Sequence, residues 1–466
     1  MTDPITHYGV DQARSTIYSP LGDLPYAQIL PRVQAALALS ISGSVEELSE
    51  ADLKDKIERY ITDNRIKCSL TADVGGGLVN YIYHDMAGLS FITRDRLFER
   101  SGFEEININA WNDVEIVSGG QRVKTDYSFL SPQHAMDIHA RMLRKTKTII
   151  NDVIPRATAD IGGGIRITVE KDPILDEDVA VASSIRKVNV ADIGREEQEA
   201  GGVLLPEMMD LLLLCAHNGV SMCLSGGTGA GKTTLGGCIL SIASRQMRTF
   251  TIEEDSREWN FIRKEGDKII NSVIHTRTKP NKDNPALSIT QEELIKDSLR
   301  FDPDIIAPGE IRGREAFEVM GVSNTGHTVI TTTHSNGTAD TIDRIVTLAK
   351  KAFDMSDSTL FHMACRAFPL LVHMELGRDK KRRVTEICEV LGYENGMVKS
   401  QMLYEFVVED NIYRDRKCIE TVGHFEHLAP ISPALAKHML KKGATRAELK
   451  PFLELEEKSG NGKGVA

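Results

Sequence analysis

The sequence predicts an α/β protein in which a mostly parallel, helix-covered sheet is preceded by a smaller α+β domain. Three observations predict it. Between Val203 and Met397, short apolar strands alternate with helical stretches of about ten to fifteen residues, which is the pattern of successive βαβ units. Inside that section the apolar strand Val220–Leu224 runs into a glycine-rich turn and then into the helical pattern Thr233–Ser244. Ahead of it, near Glu105, the apolar period changes to two, as antiparallel strands require.

In chain order, residues 1–45 are weakly periodic and are read as an N-terminal extension. The α+β domain follows over residues 46–188. Ser49 is a helix cap with Leu53, Ile57, Tyr60 and Ile61 on one face behind it. Helical pattern continues through Leu78–Met86 and Arg94–Arg100. Ile106 and Ile108, then Val114 and Ile116, form a hairpin around Trp111-Asn112-Asp113, and Pro132 opens a further helix. Strands are expected near Ile165–Val169 and Val179–Arg186. The polar, glycine-containing stretch 189–202 is the linker, and residues 203–400 are the larger α/β domain. Residues 401–466 are read as a helical appendage and frayed tail: Ser432-Pro433 starts one helix and Thr445 with Glu448 makes a capping box for another.

With 466 residues the chain is too long for one core, and 41% hydrophobic against 26% charged residues is the balance of a folded, soluble protein. A formal net charge of −11 argues against a nucleic-acid-coating role, and no direct nucleic-acid binding is expected. The seven cysteines form no Cys-x-x-Cys pair, which disfavours a disulfide framework or a four-cysteine zinc site and fits free thiols in a reducing cytoplasm. No secretory signal is visible over Met1–Pro20. The longest apolar stretch, around Leu211–Ala216, is far short of the roughly 20 residues that span a bilayer. Any membrane role is therefore peripheral.

The run Gly226-Gly227-Thr228-Gly229-Ala230-Gly231-Lys232-Thr233 fits the phosphate-loop pattern at every fixed position, and Thr234 extends it. Glycines let backbone N–H groups close around phosphate oxygens, and the following helix adds positive charge at its start. Lys232 is placed to reach the β- and γ-phosphates of a nucleotide such as ATP, with the Thr233 hydroxyl on Mg²⁺. Asn281-Lys282-Asp283-Asn284 approaches a guanine-reading motif, but its fourth residue is wrong and no apolar strand precedes it, so it is read as a loop. Two Gly triplets, Gly75–Gly77 and Gly162–Gly164, lack a following Lys-Thr and are turns.

A second segment, Phe301–Arg312, is a buried strand ending in Gly309-Glu310. A carboxylate there, at the carboxyl end of a strand beside the phosphate loop, orders the Mg²⁺ shell through water and the attacking water itself. Pro308 is unusual in a central strand and is expected where pairing stops. The third segment, Thr325–Asn336, is a β-branched strand with His327 and His334 at its two ends, either of which could sense the γ-phosphate or the neighbouring strand. No third ligand stands at a spacing that would make this pair a metal site.

Taken in this order, the three segments resemble the type II/type IV secretion ATPase superfamily. The Gly-Glu ending, Thr325-Gly326-His327 followed by Thr332-Thr333-His334, and Glu253-Glu254-Asp255-Ser256-Arg257-Glu258 are similar to its Walker B, His and Asp boxes. In the last of these Glu254-Asp255 is the favoured pair, because Glu258 then falls at the family spacing. Weaker likenesses lie in Glu105–Asn109, Gly164-Ile165-Arg166 and Ser184–Lys187; the first and last of these, with the missing four-cysteine zinc site, bring the chain closest to the Tad pilus and conjugative branches. The resemblance implies a RecA-like P-loop motor domain that hydrolyses ATP with Glu310, Glu254, His334 and His327 at the catalytic site. It also implies a cytoplasmic hexamer, peripheral at the inner face of the membrane, with ATP between its two domains and domain rotation driving a platform protein. Arg186, Arg277 and Arg300 are its candidate arginine sensors. Two alternatives stay open: a conjugative ATPase assisting DNA transfer, and a nucleotide-dependent assembly switch with negligible turnover.

Overall fold

In the computed structural model of the chain, the described residues are 24–41, 49–68, 77–119, 121–144, 146, 148–176, 178–187, 194–254, 258–280 and 284–455. Asp255, the Asn281–Asp283 run, Gly75 and Gly76, the first residues of the expected linker and the tail from Glu456 lie outside them. The chain divides into two compact units, Met1–Asn189 and Val190–Ala466.

The first unit opens with helices α1 (Tyr26–Ile41), α2 (Glu50–Asp63), α3 (Gly77–Met86) and the single turn α4 (Phe91–Arg94). The first of these falls in the stretch read as an extension. Tyr26, Ile29, Leu30, Val33 and Leu37 recur at helical spacing, and their burial against Ile57, Tyr81 and Ile82 makes α1 part of a core. Helix α2 starts at the expected cap, where Ser49 Oγ accepts from the Asp52 N–H at 3.2 Å.

Next come β1 (Phe103–Ala110), β2 (Asp113–Ser118), β3 (Gln121–Lys124), α5 (Pro132–Arg144), β4 (Arg156–Asp160), β5 (Ile165–Lys171) and β6 (Val181–Lys187). The strands form a six-stranded antiparallel sheet in the order β3-β2-β1-β6-β5-β4. In the expected hairpin Ile106 stands opposite Ile116 and Ile108 opposite Val114. These side chains meet Ile138 and Met142 of α5 in a common core, because alternate strand residues share one face.

The second unit begins with α6 (Arg195–Ala200), inside the stretch read as linker, and α7 (Pro206–His217). It continues with β7 (Met222–Gly226), α8 (Lys232–Ala243), β8 (Thr249–Glu253), the short ribbon β9 (Lys264–Glu265) and β10 (Lys268–Ile269), β11 (Val273–Arg277) and α9 (Gln291–Ser298). Then follow β12 (Ile305–Pro308), α10 (Ala316–Asn324), β13 (Thr328–Thr333), α11 (Thr338–Ala349), α12 (Asp357–Ala367) and β14 (Leu370–Leu376). The end is built of β15 (Arg382–Glu394), β16 (Met397–Arg414), β17 (Lys417–His427), α13 (Pro433–Lys442) and α14 (Arg446–Leu453).

Nine of these strands make one sheet, ordered β11-β8-β12-β13-β7-β14-β15-β16-β17. From β11 to β14 neighbours are parallel, and from β14 to β17 antiparallel, so the sheet is mixed where a mostly parallel one was expected. The antiparallel part begins with β15 and runs on through residues 397–427, most of which lie in the stretch 401–466 read as a helical appendage. They form two long strands instead, and the appendage is helical only from Pro433 onward. The turn before them, Asn395-Gly396, has φ of 53° and 78°, the left-handed pair that a tight hairpin demands. Both predicted caps of the last helices are present, at Ser432 and Thr445.

Both faces of the parallel region are covered. Met222 and Leu224 of β7 pack towards α7, α8, α13 and α14, while Cys223 between them joins the core made with α10, α11 and α12. Strands β7, β8, β12 and β13 are buried along their whole length, which is why they read as continuous apolar or β-branched runs. This arrangement sends every loop after a parallel strand to one carboxyl edge, where ligands of open α/β sheets bind.

Candidate active site

The glycine-rich run leaves that edge from the end of β7 and turns directly into α8. Two of its glycines are there for geometric reasons. Gly226 has φ 145°, and a Cβ on it would stand 2.1 Å from the Met374 carbonyl oxygen of β14. Gly231, φ 100°, would press a Cβ onto Arg382 and Met374 at 3.2 and 3.3 Å. Gly227 and Gly229 have no atom within 4 Å of such a Cβ, so this side of the turn is open. Gly226→Ala is expected to cost more than about 2 kcal/mol of stability, because both the backbone region and the space are denied. Gly227→Ala should stay within about 0.5 kcal/mol of wild type. Thermal unfolding of the two variants checks the contrast.

Lys232, the first residue of α8, is 7% exposed and curls back over the turn. Its Nζ donates to the carbonyl oxygens of Gly226 at 2.8 Å and Gly227 at 2.9 Å. Arg382 of β15 braces the turn from the other side, its Nε donating to the Gly229 oxygen at 2.9 Å. Helix α8 is held in turn by Trp259, whose indole N–H donates to the Thr233 oxygen at 3.0 Å. A Cβ at Gly237 would press on that ring at 3.2 Å, and one at Gly236 would only touch it at 3.7 Å. Neither Arg382 nor Trp259 was singled out from the sequence. Their roles depend on strands and loops remote in the chain, and the adjacent Gly236-Gly237 pair inside a helix was the one available signal.

The two glutamates of the Asp-box stretch separate clearly. Glu253, the last residue of β8, is 4% exposed and accepts from the backbone N–H groups of Glu258 and Trp259 at 2.6 and 3.0 Å. It folds the chain back so that Trp259 lies on α8. Glu254 is exposed and its Oε2 lies 3.4 Å from Arg312 Nη1.

Glu310 follows β12 at the same carboxyl edge as the glycine turn. The order β12-β13-β7 leaves one strand between them, about 10 Å at backbone level. Pro308 closes β12 opposite Ile252, and the Gly309 N–H then donates to the Ile252 oxygen at 2.8 Å, so the proline sits where pairing ends. The Glu310 segment is pinned from both sides by β13: Thr332 Oγ1 donates to the Gly309 oxygen at 2.9 Å and Thr333 Oγ1 to the Ile311 oxygen at 3.0 Å. Gln291, at the start of α9, donates to the Glu310 oxygen at 3.0 Å. The carboxylate itself is shared. Oε2 takes Arg312 Nη2 at 2.5 Å, and Oε1 faces His334 Nε2 at 3.1 Å. The hydrogen bond from Arg312 to Glu310 raises the guanidinium pKa above its ordinary value, burial working against it.

His334 and His327 end up far apart. His334 directly follows β13, between the glycine turn and Glu310, whereas His327 precedes the same strand at the amino edge. Six strand residues at about 3.3 Å each separate them by about 20 Å. His327 therefore stands away from the glycine turn, its Nδ1 3.3 Å from Thr325 Oγ1. Of the arginines, Arg277 ends edge strand β11 at the carboxyl edge, opposite Glu253. Arg300 comes after α9 at the other edge, and its guanidinium pairs with Asp297 at 2.6 Å. Arg186 belongs to the first unit, exposed on β6. Thus the carboxyl edge gathers Gly226–Thr234, Glu254, Glu310, Arg312, His334 and Arg277, and leaves out His327 and Arg300.

The model of the family described as "Type II/IV secretion system protein" matches residues 164–447. Over 195 residues, 41% of the chain, the sequence is 29% identical to conjugal transfer protein TrbB of Rhizobium radiobacter, spanning 54% of that protein. Over 163 residues, 34% of the chain, it is 31% identical to the type IV pilus assembly ATPase PilB of Acinetobacter baylyi, spanning 26% of that protein. The chain thus spans about half or less of these two relatives. Among solved structures, the ATPase DotB of Legionella pneumophila aligns over 63% of this chain and 79% of its own, at 19% identity and a TM-score of 0.45.

Proposed function

The chain belongs to the type II/IV secretion system protein family, and from that premise we propose that it is an ATP-hydrolysing motor subunit of a secretion or pilus-assembly machine. One observation carries the reading: the glycine turn with Lys232, and Glu310 with its partners Arg312 and His334, leave the same edge of one sheet with only β13 between them. A turn that a Cβ at Gly226 or Gly231 would fill, and that is open at Gly227 and Gly229, suits the close approach of phosphate oxygens to backbone N–H groups.

Thr233, one residue into α8, is the group that would hold Mg²⁺, an ion that typically takes few protein ligands and completes its shell with phosphate and water. Bound there, the ion supplies charge neutralisation at the transferring phosphoryl group. The chain's own residues do the rest. Lys232 has two acceptors to exchange for phosphate oxygens. Glu310 orders the attacking water and accepts its proton, while Arg312 holds that carboxylate in place through a charge-assisted hydrogen bond. Glu254 supplies Arg312 with a second carboxylate, and His334 touches the remaining oxygen of Glu310. Phosphoryl transfer asks mainly for such positioning and charge stabilisation.

The γ-phosphate also calls for arginine, which a phosphate loop does not provide. Arg277, at the carboxyl edge, and the exposed Arg186 support a role as sensors between subunits of a ring. Arg300, tied locally to Asp297 at the far edge, supports none. Work on a membrane platform protein from the cytoplasmic side completes the proposal. Among the described residues no helix is long and apolar enough to cross a membrane. The likeness to TrbB favours a second reading in which the same engine assists conjugative DNA transfer.

ATP turnover by the purified chain, measured against protein concentration, tests the proposal. A rate that rises more steeply than linearly is expected from an inter-subunit site. A strictly linear rate removes the ring, and nucleotide binding with no turnover at any concentration leaves the assembly switch.

A further inference from the structure

The glycine turn rests on a buried polar pair that the chemistry above does not use. Ser225, the residue before Gly226, is fully buried, and its Oγ lies 2.9 Å from Nδ1 of His373 on the adjacent strand β14. His373 is itself 2% exposed. Its Nε2 lies 3.6 Å from Glu375 Oε1. On the far side of β14, His373 stands opposite Glu386 of β15 in the strand register. Glu386 in turn caps α11, accepting from the Thr338 N–H at 2.8 Å and the Thr338 hydroxyl at 2.6 Å. Helix α11 starts four residues after His334, through Ser335, Asn336 and Gly337. The hydrogen bonds at each end, with the strand register between His373 and Glu386, thus relate the floor of the phosphate loop to the segment that carries His334.

Resting on the ATPase reading above, we infer that His373 is a positioning residue: it fixes Ser225 under the phosphate loop, on the strand whose register with β15 places Glu386 at the start of α11. Three charged groups face its ring, Glu375 on its own strand, Glu386 on β15 and Lys232 at the start of α8. Burial lowers its pKa, with the two carboxylates opposing and Lys232 assisting. At neutral pH the ring is therefore neutral, and the Glu375 carboxylate beside Nε2 favours the proton there, which leaves Nδ1 to accept from the Ser225 hydroxyl. Protonation on the acid side turns Nδ1 into a donor, reverses the Ser225 bond and puts a second cation near Lys232.

The full-length chain and its His373→Asn and His373→Gln variants test this. Asn places an amide near the position of Nδ1 and Gln near that of Nε2, whereas both remove the ring's packing. His373→Gln should lose about tenfold in kcat/KM for ATP and His373→Asn no more than about threefold, since only the second keeps a side-chain partner for Ser225, whose other contact is the Val372 oxygen at 3.5 Å. Between about pH 8 and pH 5 the wild type should lose activity on the acid side, and His373→Asn should lose that limb. Equal losses in the two variants, or an acid limb that persists in His373→Asn, would overturn the inference. Affinity for a fluorescent ADP analogue, measured alongside, separates the two readings. A wild type that binds without turning over defeats the ATPase reading, and the Asn-against-Gln contrast in affinity still tests His373.

Discussion

Replacing Lys232 with alanine should reduce ATP turnover by about a thousandfold or more, to background in a phosphate-release assay. The size follows from two losses at once. The ammonium is the cation at the mouth of α8 placed to move onto β- and γ-phosphate oxygens, and in a nine-tenths buried setting its charge is worth far more than in water. Its removal also takes the ammonium donor from the Gly226 and Gly227 carbonyls and leaves Gly227 only the Ala230 N–H at 3.3 Å, so the turn is less firmly braced. Nucleotide affinity should therefore fall together with turnover. Arginine should not restore the rate, because a planar fork cannot reproduce a point charge that already bonds two adjacent carbonyls. Turnover within tenfold of wild type in the alanine variant would remove the phosphate-loop reading.

Glu310→Gln should behave differently, leaving ATP affinity within about threefold while hydrolysis falls by roughly a hundredfold to ten-thousandfold. Glutamine preserves the volume and one acceptor for Arg312, and the Thr332 and Thr333 bonds that hold the segment involve only backbone oxygens. What disappears is the negative charge that polarises water and takes its proton. Binding by isothermal titration and single-turnover hydrolysis together decide the point. An unchanged hydrolysis rate would take Glu310 out of the mechanism, and lost binding would show that the side chain shapes the phosphate loop instead.

The readable part of this site was the part written in backbone geometry. Gly226 and Gly231 must be glycine because β14 and β15 pass so close, and that requirement shows in the sequence as fixed spacing. The buried strands showed as β-branched runs, with Glu310 and His334 at their ends. A strand pattern does not say which end faces the ligand, so His327 and His334 read alike until the parallel order of β12, β13 and β7 set them at opposite edges. The choice between Glu253 and Glu254 likewise needed a tertiary fact, the fold-back of Glu258 and Trp259 onto Glu253. His373 stands 148 residues from Ser225, beyond the reach of any local pattern. The long strands are another matter: Asn395-Gly396 is a hairpin signal that joins β15 to β16, whereas the turn from β16 to β17 is made by Asp415 and Arg416 with positive φ, a pair that carries no such signal.

The backward curl of Lys232 has a consequence for how tightly ATP is held. Because the ammonium already has two oxygen neighbours, an incoming triphosphate swaps partners instead of filling an unmet need, and the affinity reflects only the difference between old and new. Once the terminal phosphate has gone, the same two carbonyls compete for the cation again. On the proposed ATPase reading, the spent nucleotide would thus be released with help from the protein's own main chain.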